Sequence, residues 1–194
     1  MLRALWAAAS GDTTVARGWL RRVRESARVD PVVGHAPTLV EGWIAARAGR
    51  WNVVIDTLRG VARRGELDPT MLDRPASFHS RCLIATAFER TGQLDSAVAY
   101  LELALRPAML PPTHYSLRGI PFGFAHLKAA RLYARQADTT AAARHFDTFL
   151  ASFDRADDSV QGLVVGARQE RQRLTGVIGT EGSAARSTAG TPPR

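Results

Sequence analysis

Leu132-Tyr133-Ala134-Arg135-Gln136-Ala137-Asp138-Thr139-Thr140-Ala141-Ala142-Ala143-Arg144-His145-Phe146 holds two helix-forming stretches parted by the polar turn Gln136-Ala137-Asp138. Count from Ala137. Seven and four residues before it stand Ala130 and Tyr133; five, nine and twelve after it stand Ala142, Phe146 and Phe149. Helical geometry puts the first two on one face of one helix and the last three on one face of the next. The run therefore reads as a helical hairpin with a matched apolar seam.

The same frame recurs upstream, about the turns Thr91-Gly92-Gln93, Ala48-Gly49-Arg50 and Ser10-Gly11-Asp12, whose middle residues lie 45, 43 and 38 residues apart counting back from Ala137. Five after the turn come Ala97, Val54 and Ala16; nine after, Leu101, Leu58 and Leu20; twelve after, Ala104, Val61 and Val23. Four before come Phe88, Ala45 and Ala7; seven before, Ala85, Gly42 and Ala4. Small residues at the outer and inner seam positions let two helix axes approach, and larger ones fill the space beside them. Glycine at three of the four turns suits a helix end that needs a left-handed backbone.

These columns resemble the tetratricopeptide repeat family, whose small–aromatic–glycine–alanine–aromatic order recurs with a period of about 34 residues. The match is carried by Ala85, Phe88, Gly92, Ala97, Leu101 and Ala104, and by Ala130, Tyr133, Ala137, Ala142 and Phe146. This chain departs from the family in lacking the early tryptophan, in its displaced prolines (Pro31, Pro69, Pro111), in Ala7 and Ala45 where an aromatic is usual, and in its longer spacing. The family frame places Met1 inside the first helix. The last two units also resemble the C-terminal repeat regions of bacterial serine/threonine protein kinases. A Gly-rich phosphate loop, a His-Arg-Asp loop and an Asp-Phe-Gly are absent from the sequence, so that resemblance implies an accessory region of a signalling protein.

The expected fold is all-α: a right-handed α-solenoid of four such hairpins, in units of about 1–28, 36–65, 76–107 and 122–153, closed by a helix at about 158–174. Helices are expected at about 2–9, 12–27, 36–48, 51–64, 76–91, 94–106, 122–136 and 139–153. Asp158-Ser159 caps the closing helix, and Thr175-Gly176 is its expected stop. Repeat domain 1–176 then gives way to an aperiodic tail, 177–194, expected to be disordered.

Composition bounds the function. The 194 residues carry a formal charge of +8, nearly all of it arginine; residues 1–64 hold +6 of it. Such a surface fits an acidic partner. One cysteine, Cys82, excludes an internal disulfide and a multi-cysteine metal site. No apolar run reaches the roughly 18 residues of a membrane span, so the cytoplasm is the default location. Cys82 and His79 share a helix face without an evident third group, and His114, His126 and His145 fall in the last unit without carboxylates at metal spacing. No catalytic residue, metal or cofactor is expected.

A partner site is expected where the resemblance puts the concave face, on the first helix of each hairpin. Two residues before the turn come Arg47, Arg90 and Arg135; six before, Trp43, Thr86 and Arg131; ten before, Leu39, Cys82 and Leu127. Recurring arginines beside apolar side chains suit a protein or peptide segment with acidic and apolar residues. Two similar loops, with Arg74 between Pro69 and Pro75 and Arg118 between Pro111 and Pro121, are the second expected surface. The function implied is a non-catalytic interaction scaffold. The alternative is a repeat protein of transcription control, with Arg17, Arg21, Arg22, Arg24 and Arg28 as the nucleic-acid patch; without a helix-turn-helix, nucleic acid is the disfavoured partner.

Overall fold

A computed structural model describes residues 12–29, 35–67, 74–106, 115–154 and 158–187. They form eight helices: α1 (Thr13–Val29), α2 (Ala36–Arg47), α3 (Trp51–Leu67), α4 (Arg74–Arg90), α5 (Leu94–Leu105), α6 (Tyr115–Arg135), α7 (Thr139–Ser152) and α8 (Asp158–Ser187). No strand occurs among the described residues, and the fold is all-α. The helix expected at 2–9 lies outside them.

The three described turns close their helices in one way. Gly49, Gly92 and Ala137 all have left-handed backbones, with φ of 69°, 80° and 60°. Each N–H donates to the carbonyl three residues back: Gly49 to Ala46 at 3.0 Å, Gly92 to Glu89 at 3.2 Å, Ala137 to Ala134 at 3.2 Å. The next N–H reaches five back: Arg50 to Ala45 at 3.0 Å, Gln93 to Phe88 at 2.9 Å, Asp138 to Tyr133 at 3.0 Å. This is the Schellman pattern, which satisfies carbonyls that a helix end leaves orphaned. The following helix starts at once. Asp138 Oδ1 accepts from the Ala141 N–H at 2.9 Å, and Asp12 Oδ1 from that of Val15 at 2.9 Å, so the same N-cap serves the first and last of the four turns.

The seam columns are the core. Ala16, Val54, Ala97 and Ala142 are all 0% exposed. Leu20, Leu58, Leu101 and Phe146 are buried, as are Val23, Val61, Ala104 and Phe149. On the first helices Gly42, Ala85 and Ala130 are buried beside Ala45 and Phe88, and Tyr133 is half-buried. Small residues are needed where the helices cross: a Cβ on Gly42 would lie 2.7 Å from Leu58 side-chain carbons.

The chain divides into two compact units, larger than the single hairpins: unit 1, Met1–Pro111, and unit 2, Pro112–Arg194. In the first, each helix from α1 to α5 packs on the next, and α2 also meets α4. A cluster of Ala16, Leu20, Val23, Ala36, Val40 and Ile44 joins α1 to α2. In the second, α7 packs on both α6 and α8, around Leu127, Phe146, Phe149, Phe153, Val164 and Ala167.

Two boundaries move. Helix α6 starts at Tyr115, ahead of Pro121, which the sequence suggests as a boundary because proline lacks an N–H. Helix α8 passes Gly176 and ends at Ser187; a glycine inside a helix costs only about 1 kcal/mol relative to alanine and does not by itself stop it. Arg74 accordingly opens α4 and Arg118 lies within α6. Neither stands on a loop, which corrects that expectation: the backbone bonds that hold a helix turn replace the open chain on which a loop surface depends.

Candidate functional site: the arginine ends of the first helices

Arg47 and Arg90 occupy the last turns of α2 and α4 and are exposed. A cation there faces the negative end of the helix dipole, so the position itself favours arginine. Helices α2 and α4 touch one another, so unit 1 carries an exposed guanidinium in the last turn of each of two contacting helices. Arg90 places its guanidinium carbon 5.9 Å from the centroid of the Trp51 ring, which opens α3. One helical turn before Arg47, Trp43 is half-buried against the α1–α2 cluster. Its counterpart Thr86 is half-buried, and its Oγ1 donates to the Cys82 carbonyl at 2.9 Å, inside its own helix. Cys82 is half-buried, and His79 is exposed with its ring edge-on to Phe78 at 5.4 Å.

Leu39 and Leu127 do not belong to a binding face. Each is 3% exposed, and Leu127 is part of the aromatic core of unit 2. Ten residues before the turn, a first helix already faces its neighbour, so an apolar residue there is drawn into packing. Arg131 departs from its expected role too. Its Nε and Nη2 donate to Glu170 Oε2 and Oε1 of α8, at 3.0 and 2.7 Å. The hydrogen bond to Glu170 raises the guanidinium pKa above its ordinary value, so this cation is engaged in holding α8. Arg135, in the last turn of α6, is exposed.

Several polar contacts had no periodic signal to betray them. Arg81 of α4 is half-buried; its Nε and Nη2 donate to the Ala62 carbonyl of α3 at 3.2 and 3.0 Å, and its Nη1 to the Leu103 carbonyl of α5 at 2.6 Å. Leu103 is in the last turn of α5, where carbonyls lack helical partners, so one planar fork ties three helices. Arg171 of α8 grips Asp147 of α7 by a similar fork, Nε to Oδ1 at 2.9 Å and Nη2 to Oδ2 at 3.2 Å. In unit 2, His126 and His145 meet at 2.8 Å between their Nδ1 atoms. His114 lies outside the described residues.

Among the described residues no group of three or more His, Cys, Asp or Glu is placed to hold a metal ion, and no described helix is long and apolar enough to cross a membrane. The chain is similar in structure to a crystal structure of BtubC (BKLC) from P. vanneervenii, with a TM-score of 0.59 at 15% identity, over 98% of this chain and 80% of that one. At that identity the likeness speaks to fold alone. No family model and no curated protein matches the sequence.

Proposed function

We propose that this chain is a non-catalytic scaffold of tetratricopeptide type, a right-handed α-solenoid whose unit 1 binds an acidic and apolar peptide segment across the ends of α2 and α4. The observation that carries the reading is the pair Arg47 and Arg90: exposed, at equivalent last-turn positions, on helices that touch. Trp43 on α2 and Trp51 under Arg90 offer aromatic surface beside the two cations. Guanidinium forks recognise carboxylates bidentately, and a partly exposed tryptophan adds apolar contact at small entropic cost. Arg135 stands at the corresponding last-turn position of α6 in unit 2. The kinase-linked resemblance makes an accessory role in bacterial signalling the context of this reading.

Selection from a random peptide display library, using the whole chain, tests it. Enriched sequences are expected to pair Asp or Glu with apolar residues. The double variant Arg47→Glu with Arg90→Glu is expected to weaken the best peptide at least ~100-fold, on the scale of two charge-assisted contacts, while the chain stays folded, each reversal costing only about 0.3–1 kcal/mol of stability at its helix end. Equal enrichment by the variant, or selected peptides without acids, overturns the proposal.

A transcription-associated role keeps one observation in its favour. Arg17, Arg21 and Arg22 are exposed along α1, and the Arg22 guanidinium lies 5.0 Å over the Trp19 ring. Oligonucleotide binding that falls steeply with salt, and that Arg21→Glu with Arg22→Glu removes, is the outcome that selects it.

A further inference from the structure

We infer that His126 and His145 form a one-proton latch between α6 and α7, which acid opens. The two Nδ1 atoms face each other at 2.8 Å. A contact that short needs one nitrogen to carry a hydrogen and the other to present a lone pair. At neutral charge one ring must therefore be the Nδ1–H tautomer and the other the Nε2–H tautomer. Adding one proton keeps the contact, because an imidazolium Nδ1–H still donates to the neutral partner. Adding a second puts two N–H groups, each on a cation, head to head. The contact cannot hold both.

The surroundings decide which ring yields. His145 is 4% exposed and stacks on Tyr133 of α6, with ring centroids 5.4 Å apart and planes at 19°. His126 is half-buried. The doubly charged state is therefore relieved by His126 swinging outward. Charged groups lie on all three helices packed together here. On α6, Lys128 is half-buried and Arg131 is bound to Glu170 of α8; on α7, Arg144 is exposed and Asp147 is bound to Arg171 of α8; Arg168 of α8 is exposed. Asp147 and Glu170 are thus each gripped by an arginine.

The sign of the effect follows. Unfolded, each histidine takes up a proton near the ordinary imidazole value of about 6.5. The latched pair takes up only one until it opens. Below about pH 6.5 the unfolded chain binds more protons than the latched one, so stability is fully present above that value and is lost as pH falls.

Long-range nitrogen NMR of the histidine rings in the full chain tests this. At pH 8 the expected result is opposite tautomers for His126 and His145. On acidification both rings are expected to report a single shared step first, and the second proton is expected only with displacement of α6 and α7 amides. His126→Asn keeps a polar amide near the Nδ1 position but cannot titrate. Between pH 8 and 5.5 the wild type is expected to lose roughly 4–8 °C more in Tm than this variant, equivalent to about 1 kcal/mol for a unit of this size. Two rings titrating independently in the wild type, or an equal Tm loss in the variant, overturns the latch. Should the variant fail to fold, the wild-type ring titration decides alone.

Discussion

Ala137 sits where its two described counterparts are glycine. Its φ of 60° is the left-handed value that Gly49 and Gly92 adopt without a Cβ, and for an L residue that region costs roughly 1–2 kcal/mol. Glycine would remove the clash but add freedom to the unfolded chain, worth about 0.4–1 kcal/mol in the other direction. Ala137→Gly is therefore expected to stabilise unit 2 by up to about 1.6 kcal/mol, read as a higher denaturant midpoint at unchanged m-value. Alanine at this turn was visible in the sequence as an exception to the glycine column, and the shared hydrogen-bond pattern shows that the backbone obeys the column regardless of the side chain. Arg81 teaches the converse: it stands in no recurring column, and its role comes from carbonyls of two other helices that only folding brings within reach.

Helix α8 shows how an element is held. Its apolar side, Val164 and Ala167, enters the core beside Phe146 and Phe149. Its polar side is fixed by two forks, Arg131 to Glu170 and Arg171 to Asp147. The side chains of Arg131 and Glu170 are 45% and 33% exposed, so water and salt screen the pair and its net worth is about 0.2–1 kcal/mol. Glu170→Gln is expected to destabilise by that amount at low ionic strength and by less in 1 M NaCl, measured by denaturant unfolding at both. A salt-independent loss would mean that packing, and not charge, is what the substitution disturbs. The apolar stripe of α8 was legible from its spacing. The partners of its charged residues were not, because an arginine beside a helix end suits the dipole, a partner or a neighbouring acid equally well until the neighbour is known.

At the scale of the molecule, each unit has a core of its own. Phe146 is 1% exposed, in contact with the aromatic group of Phe149 and Phe153. Phe146→Ala is expected to cost about 3–5 kcal/mol through lost transfer energy and the cavity left behind. Because that cost falls on unit 2, calorimetry is expected to resolve a low-temperature transition for it while the unit 1 transition stays in place. A single transition shifted as a whole would show that the two units unfold together.

Sequence alone determined the all-α class, the three described turns, the hairpin pairs about them and nearly all of the seam, since local propensity and 3.6-residue periodicity act within a single helix and its immediate partner. Tertiary structure decided which members of the expected binding face remain accessible. It sent Leu39 and Leu127 into the core, tied Arg131 to Glu170, placed Arg74 and Arg118 in helices, and left Arg47 and Arg90 exposed. The physical reason is range: a side chain's period along its own helix is written in the chain, whereas its burial and its ionic partner depend on surfaces contributed by residues far away in sequence.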